Sequence, residues 1–182
     1  MATRSELVAD AAVTVLAREG LRGLTHRAVD AEAALPDGST SNCFRTRAAL
    51  IMAIVDRLEH LDVEALTSGP APDSSSITAV AASLADSVAR MTSARYARTT
   101  RARIALLLDE TAREAMAEGH RRFLERLATL LESAGLDDAP RAARVISDLL
   151  EGALVHAVSV PQRRVDAGEL AAAVERLMRP SA

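Results

Sequence analysis

The sequence predicts an all-α fold of about nine helices. Apolar residues recur at every third or fourth position through most of the 182 residues, a spacing that places them on one face of a helix. No segment alternates apolar and polar residues as a half-buried strand does, and no repeat of fixed period is visible. Aromatic residues make up 2% of the chain and tryptophan is absent, so the core must be built from Leu, Val, Ile and Ala.

The first helix is predicted to begin after Thr3. Thr3 and Glu6 have the spacing of a capping box, in which each side chain accepts a hydrogen bond from the backbone N–H of the other residue. Gly20 is expected to end the helix, because glycine adopts the left-handed conformation that follows a helix without a Cβ penalty. The apolar residues between them form a stripe that we expect to be buried: Leu7, Val8, Ala11, Ala12, Val15 and Leu16.

Two short helices joined by a tight turn are predicted next. Thr25 caps the first, since its hydroxyl can accept from a free N–H two or three residues further on. Pro36 is expected to stop that helix, because proline lacks an N–H and disfavours helical dihedral angles in the residue before it. The second covers residues 39–44, and Thr46 then caps a long helix that begins at Arg47. This order is typical of a helix-turn-helix, whose second helix enters the DNA major groove.

The rest of the chain continues the helical pattern. The long helix from Arg47 carries an apolar stripe, and a linker-like segment rich in Pro and Ser follows it at Thr67 to Ser76. Pro140 suits the first turn of a later helix. Asp166, followed by Glu169 three residues later, predicts the N-terminal cap of a last helix.

The charge balance provides no general attraction to nucleic acid. The net charge is −3, and residues 1–50 hold six Arg against six Asp and Glu. A DNA-binding surface therefore requires that these charges be distributed unevenly, with a basic patch on one face of the domain.

The sequence favours a cytoplasmic protein without a cofactor. Cys43 is the only cysteine, which excludes an intramolecular disulfide and is typical of a reducing interior. The N-terminus is polar, and no apolar run reaches membrane-spanning length. The four histidines lack metal-ligand spacing, and there is no phosphate loop or serine elbow. We therefore expect no metal site, no cofactor and no enzyme.

Several residue types recur in a fixed order between Gly20 and Leu50. They are Gly20, the run Thr25–Val29, Ala33, the step Gly38–Thr40, Phe44, Arg47 and Leu50. This pattern resembles the N-terminal domain of TetR-family transcriptional regulators. The resemblance implies a DNA-binding domain at residues 1–45 and a helical domain for ligand binding and dimerisation at residues 46–182. It further implies a homodimeric repressor that binds a pseudo-palindromic operator in double-stranded DNA and is released by a small-molecule effector.

The second short helix would carry the reading surface of such a domain. Its candidate residues are small or bear an amide: Asp37, Ser39, Thr40, Ser41 and Asn42. Threonine can pack on a thymine methyl group and asparagine can pair with adenine, and we place Thr40 on the side that faces the groove. The alternative is a polar helix that is merely solvated. The family usually has aromatic residues where Ser41 and Cys43 stand, and often Lys where Asp37 stands.

The resemblance also implies contacts to the DNA backbone. In the family, the first helix of the motif is capped at the DNA backbone, and a basic residue opens the long helix against a phosphate. The matching candidates in this sequence are Thr25, His26, Arg27 and Arg47. For Arg27 the alternative is an ion pair with Asp30 or Glu32.

The second predicted domain contains candidates for a ligand cavity. Apolar residues with a few polar points are the usual lining of such cavities, and plain core packing is the alternative. The candidates are Met91, Tyr96, Leu107, His120, Phe123 and His156.

A dimer surface is expected on helices Ala139–Val160 and Asp166–Met178. The family dimerises through its last two long helices as a four-helix bundle, and small residues allow helices to approach closely. The candidates are Leu149, Leu150, Gly152, Ala153, Ala157, Val174 and Leu177.

Two functions from different classes are compatible with the sequence. The first is a ligand-responsive DNA-binding regulator. The second is a helical ligand-binding or protein-interaction module that has lost specific DNA binding, which the charge balance, Ser41 and Asp37 would favour. Binding of the purified protein to DNA distinguishes the two.

Overall fold

The computed structural model describes residues 3–67, 73–107, 109–160 and 164–179. Within these ranges the chain forms nine α-helices, one 3-10 turn and no strand, which confirms the predicted fold class. The helices are α1 (Arg4–Gly23), α2 (His26–Glu32), α3 (Ser39–Cys43), α4 (Arg47–Thr67), α5 (Ile77–Met91), α6 (Ala97–Leu107), α7 (Arg113–Ser133), α8 (Ala139–Ser159) and α9 (Ala167–Met178). The 3-10 turn, Glu110–Ala112, precedes α7. Residues 68–72 of the predicted linker lie outside the described ranges.

The helices divide into two compact units. The first comprises Met1–Asp62 and Arg98–Gly119, and the second comprises Val63–Ala97 and His120–Ala182. The boundary between the two units thus lies within α4, after Asp62. The boundary near residue 45, between a DNA-binding domain and a domain for ligand binding and dimerisation, stays a prediction.

The first unit encloses a core of aliphatic side chains from α1, α2, α4 and α6. Its largest fully buried residues are Leu16, Leu24, Leu50, Ile51, Ile54, Leu58 and Leu106. Two ion pairs reinforce the packing. Arg57 on α4 donates from Nε to Oδ1 of Asp10 on α1 at 2.6 Å, and Arg103 on α6 binds Asp62 on α4. The aliphatic core agrees with the prediction from composition.

The capping box predicted for the start of α1 is present, whereas the helix runs past Gly20, its predicted end, to Gly23. The Glu6 N–H donates to Thr3 Oγ1 at 3.2 Å, and the Thr3 N–H donates to Glu6 Oε2 at 2.7 Å. Gly20 interrupts the helix with φ 68° and ψ −173°, a backbone conformation that is essentially restricted to glycine. One further turn then runs to Gly23 before the chain enters α2.

Substitution of Gly20 by alanine is expected to destabilise the protein by about 1–3 kcal/mol, because the backbone strain cannot be relieved without moving the start of α2. A Cβ at Gly20 would meet no atom within 4 Å, so the effect isolates the backbone conformation. Urea unfolding followed by circular dichroism measures it. Gly152→Ala is the control, since that glycine is helical and a Cβ there also meets no atom within 4 Å. Equal unfolding midpoints for Gly20→Ala and the unchanged protein would contradict the assignment.

The end of α2 differs from the prediction, in which Pro36 stops the helix. The helix already ends at Glu32, and Ala34 adopts a left-handed conformation with φ 52°. The Ala34 N–H donates to Ala31 O at 3.2 Å and the Leu35 N–H donates to Asp30 O at 3.0 Å. These two bonds form a Schellman motif, which ends the helix at Glu32, ahead of Pro36 in the chain.

The second unit is a helical packing of α5, α7, α8 and α9, with α5 lying against both α8 and α9. Its fully enclosed residues include Val80, Leu131, Ile146 and Val174. Pro140 occupies the first turn of α8 as predicted. The predicted cap of α9 is also confirmed, since the Glu169 N–H donates to Asp166 Oδ1 at 3.0 Å. No helix in the described ranges is long and apolar enough to cross a membrane.

Candidate DNA-binding surface

Arg47 joins the start of α4 to the junction between α1 and α2. Its guanidinium donates from Nη1 to Leu24 O at 2.8 Å and from Nη2 to Leu21 O at 2.6 Å. The last carbonyls of a helix have no hydrogen-bond donor within that helix, and here the Arg47 guanidinium donates the bonds that they lack. The guanidinium thus serves as a structural cap for α1, while the expected phosphate contact of Arg47 stays a prediction.

The two predicted threonine caps lie beside this junction. Thr25 Oγ1 accepts from the Ala28 N–H at 3.1 Å, and Thr46 Oγ1 accepts from the Ala49 N–H at 3.1 Å. Both threonines are exposed. Because Arg47 follows Thr46 and binds the carbonyl of Leu24, the start of α4 and the start of α2 are neighbours on the surface of the first unit.

Thr40 and Ser39 face the interior, so the prediction that Thr40 reads the groove is wrong. Thr40 is fully buried and Ser39 is 4% exposed. Thr40 Oγ1 donates to Asp30 Oδ1 at 2.6 Å, and Ser39 Oγ donates to Pro36 O at 2.7 Å. Their hydroxyls are thus used to close the turn between α2 and α3, and neither is available to a base edge.

The outward side of α3 is formed by other candidates. Asp37 and Asn42 are exposed, and Ser41 is half-buried. Cys43 and Phe44 pack against the first core. Among the five residues of the expected reading surface, Asp37, Ser41 and Asn42 therefore remain candidates for contact with DNA.

Asp30 is a buried carboxylate that was not among the site residues predicted from the sequence. It is 1% exposed and accepts from the Thr40 N–H at 2.7 Å and the Gly38 N–H at 2.8 Å, in addition to the Thr40 hydroxyl. Burial by itself raises the pKa of Asp30, but the bonds from Thr40 and Gly38, with His26 nearby, hold that pKa below its ordinary value. Periodicity offered a signal, since His26, Val29, Asp30 and Ala33 have the spacing of one helix face.

His26 lies on the same inward side of α2. The residue is half-buried, and its Nε2 atom is enclosed without a hydrogen-bond partner among the described residues. An enclosed Nε2 cannot reach a phosphate, so this nitrogen does not support the expected backbone contact of His26.

The acidic side chains of residues 1–50 are almost all engaged. Glu19 and Glu32 bind Arg18 at 2.8 Å and 2.7 Å. Asp10 binds Arg57, Glu6 belongs to the capping box, and Asp30 is buried. Asp37 is the acidic residue of this segment that is exposed without a partner among the described residues.

The basic side chains of the same segment are mostly free. Arg18 is paired and Arg47 is bound to backbone carbonyls. The two carboxylates that could have paired with Arg27 bind other groups. Asp30 accepts hydrogen bonds from Gly38 and Thr40, and Glu32 forms an ion pair with Arg18. Among the described residues up to residue 50, four exposed arginines have neither a hydrogen bond nor an ion pair: Arg4, Arg22, Arg27 and Arg45. The exposed charged side chains of this segment that have neither a hydrogen bond nor an ion pair among the described residues are therefore four arginines and Asp37.

The second unit contains most of the candidates for a ligand cavity. Tyr96 is 8% exposed, and its hydroxyl is enclosed without a partner among the described residues. Met91 and Phe123 are half-buried against the second core. His120 Nδ1 lies 3.3 Å from Glu151 Oε1, with 40% of the His120 side chain exposed. No group of His, Cys, Asp or Glu in the described residues is arranged to hold a metal ion.

Two of the cavity candidates are more exposed than the others. Leu107 is 41% exposed and belongs to the first unit, and His156 is exposed on α8. Both therefore lie outside the buried cores, and their contact with a ligand stays a prediction.

The expected dimer surface is also revised. Leu150 is 6% exposed and Val174 is fully buried, so both belong to the core of their own unit. Leu177 is 44% exposed, and Val145, which was not among the candidates, is 43% exposed. The half-buried candidates are Leu149, Gly152, Ala153 and Ala157. Val145, Leu149 and Gly152 are spaced on one face of α8, which leaves an apolar strip on the outside of the second unit.

The comparison with family models matches residues 75–180, more than half of the chain, to the family described as tetracyclin repressor-like, C-terminal domain. No protein of curated function matches the sequence significantly.

Solved structures match the chain over its whole length. The multidrug binding protein EbrR in complex with imidazole is 26% identical, with a TM-score of 0.74, and the match covers 100% of this chain and 98% of EbrR. A TetR-family member from Streptomyces coelicolor A3 is 25% identical, with a TM-score of 0.76 and coverage of 98% and 100%. A Rhodococcus sp. protein assigned to the TetR-family transcriptional regulators is 20% identical, with a TM-score of 0.82 and coverage of 97% and 98%. EbrR has also been solved with ethidium, malachite green and proflavin.

Proposed function

Because the chain belongs to the TetR family of transcriptional regulators, we propose that it is a repressor that binds double-stranded operator DNA as a homodimer and is released by a small molecule. The observation that carries the proposal is that four exposed arginines of residues 1–50 have neither a hydrogen bond nor an ion pair among the described residues, and that three of them lie near the starts of α2 and α4. A surface of this kind attracts a polyanion even though the net charge of the whole chain is −3.

The proposed phosphate contacts are Arg22, Arg27 and Arg45. Arg22 and Arg27 flank the start of α2, and Arg45 immediately precedes the Thr46 cap of α4. The Arg47 bond to Leu24 brings these two helix starts together, so the three arginines belong to one region of the first unit. Arginine binds phosphate oxygens in a bidentate manner, and such contacts fix the position of a protein on the duplex without reading its sequence.

The proposed base contacts are Asn42 and Ser41. Asn42 is exposed and has the amide that pairs with the edge of adenine in the major groove. Ser41 is half-buried and can reach only a group that approaches α3 closely. Asp37 repels phosphate, so we place it beside a base edge, where a carboxylate can accept from cytosine N4.

The proposed effector site lies in the second unit. Tyr96 and Phe123 offer aromatic surface, and Glu151 offers a negative charge beside His120. These groups suit a planar or cationic molecule, the class to which the ligands of the similar protein EbrR belong. The effector must bind the DNA-free state more tightly than the DNA-bound state, since equal affinity for both shifts nothing. We propose that α4, which contributes residues to both units, carries the change.

The proposed dimer seam is the apolar strip on α8 with Leu177 on α9. Gly152→Leu tests it, since a Cβ at Gly152 meets no atom within 4 Å in its own chain. The position is thus open to a first side-chain atom within its own chain, and overpacking against a partner helix costs on the order of 1–3 kcal/mol at each of the two symmetric sites. We expect light scattering after size exclusion to show a monomer or an aggregate. Gly152→Ala is the control with a smaller side chain, and a Gly152→Leu dimer as stable as the parent would refute the seam.

A DNA-binding titration distinguishes this function from a module that has lost DNA recognition. We expect the purified protein to shift a duplex taken from the DNA flanking its own gene, at protein concentrations where a shuffled duplex of equal composition stays free. Two subunits should bind each duplex. Equal affinity for both duplexes, or no shift at all, would favour the ligand-binding or protein-interaction module instead.

A further inference from the structure

Helix α3 lacks a capping side chain of its own. It has five residues, and its N-cap is Gly38, which has φ 89° and no side chain to accept from the free N–H groups of the first turn. A helix of this length is not stable in isolation. Its conformation and orientation must therefore come from contacts with the rest of the first unit.

The missing cap is supplied by Asp30 from the preceding helix. Asp30 Oδ2 accepts from the Gly38 N–H at 2.8 Å, and Oδ1 accepts from the Thr40 N–H at 2.7 Å. The Thr40 hydroxyl adds a third bond to Oδ1 at 2.6 Å. Since Asp30 is 1% exposed and Thr40 is fully buried, water does not compete for the two bonds from Thr40, while the bond from Gly38 is partly buried.

A cap that belongs to another helix fixes orientation as well as length. An ordinary N-cap residue is part of the helix that it caps and leaves that helix free to rotate as a body. Asp30 lies on α2, so its three charge-assisted bonds hold the start of α3 at a defined distance and rotation relative to α2. The side chains of a helix rotate with it as one body, so any rotation of α3 about its axis redirects Ser41 and Asn42 by the same angle.

We propose that Asp30 is the positioning residue for sequence recognition: by binding Gly38 and Thr40 it sets the rotation of α3 that turns Asn42 and Ser41 toward the major groove and keeps Thr40 inside. This inference rests on the proposed function. It separates phosphate binding from base recognition, because two of the proposed phosphate contacts, Arg22 on α1 and Arg27 on α2, belong to helices that precede α3.

The test compares the affinities of four proteins for two duplexes. Asp30→Asn removes the charge and one acceptor oxygen, Thr40→Val removes the hydroxyl at constant shape, and Thr40→Ser retains the hydroxyl as the rescue variant. The probes are the duplex that the unchanged protein selects from a randomised pool and a shuffled duplex of equal composition. Fluorescence anisotropy gives both affinities, and a thermal melt identifies the temperature range in which each variant is folded.

We expect Asp30→Asn to bind the selected duplex about tenfold or more weakly, with its affinity for the shuffled duplex changed by about twofold or less. Thr40→Val should show a smaller loss of the same kind, and Thr40→Ser should restore selectivity. If Asp30→Asn does not fold, Thr40→Val decides the question.

Unchanged selectivity in the folded Asp30→Asn or Thr40→Val protein would overturn the inference. Equal losses for both duplexes would also overturn it, because they would indicate general loosening of the first unit and not a change in the direction of α3. Failure of the unchanged protein to enrich any duplex would refute the proposed function itself, and that result is separate because it involves no variant.

Discussion

Replacement of Asp30 by alanine is expected to lower the free energy of unfolding by about 3–5 kcal/mol. The substitution leaves the Thr40 N–H and the Thr40 hydroxyl without their acceptor in the buried interior, and it removes the acceptor of the Gly38 N–H from a partly buried bond. Each unsatisfied buried donor costs about 1–3 kcal/mol, and the small cavity adds to the loss. Urea unfolding followed by circular dichroism measures the change.

Asp37→Ala is the matched control for this substitution. Asp37 lies in the same turn and carries the same charge, but it is exposed and has no partner among the described residues. Its removal should change the free energy of unfolding by less than about 0.5 kcal/mol. If the two substitutions had the same effect, the buried network would contribute nothing to stability beyond the charge.

The same carboxylate should make stability dependent on pH in acid. The pKa of Asp30 is lower in the folded protein than its ordinary value of 3.8, so its contribution is fully present above that pH and is lost as the pH falls through the folded pKa. We therefore expect the stability of Asp30→Ala to decline less steeply below pH 3.8 than that of the parent. Parallel acid unfolding curves for the two proteins would contradict the assignment.

Removal of the three arginines near the start of α2 and α4 is expected to abolish most DNA binding. The triple variant Arg22→Ala, Arg27→Ala, Arg45→Ala deletes six phosphate contacts in a dimer, and at moderate salt this should cost about a thousandfold or more in affinity. Because phosphates are the same in every sequence, the selected and the shuffled duplex should lose affinity alike. Fluorescence anisotropy at constant ionic strength measures both.

A second triple variant removes the same charge elsewhere. Arg101, Arg144 and Arg176 are exposed and lie outside residues 1–50, and their replacement by alanine changes the net charge by the same amount. We expect this control to bind both duplexes nearly as well as the parent. A loss as large as that of the first variant would mean that the total charge matters and that the arginines near α2 and α4 form no specific surface.

The helices and their caps could be predicted from the sequence because their causes are local. Thr25 and Thr46 cap through hydrogen bonds to N–H groups three residues away, as do Thr3 and Asp166. The long helices also contain enough turns for the apolar spacing to be recognised. Local spacing therefore identified the two short helices with their turn and the two last long helices.

The roles of Arg47, Thr40 and Asp30 could not be predicted in the same way, because they depend on contacts between distant residues. Arg47 binds carbonyls 23 and 26 residues earlier in the chain. Helix α3 has five residues, too few to reveal which side is buried, so Thr40 was assigned to the wrong face. Counting charges along residues 1–50 likewise missed the free arginines, since ion pairs such as Arg57 to Asp10 involve residues outside that segment or on other helices.

The most direct test of DNA binding by the free arginines is the salt dependence of the unchanged protein on its selected duplex. With three or four free arginines engaged per subunit, a dimer neutralises six to eight phosphates, so the logarithm of the binding constant should fall against the logarithm of salt concentration with a slope of about −5 to −7. Fluorescence anisotropy over a series of sodium chloride concentrations gives this slope. A slope shallower than about −2 would contradict the account, because binding would then not depend on these arginines.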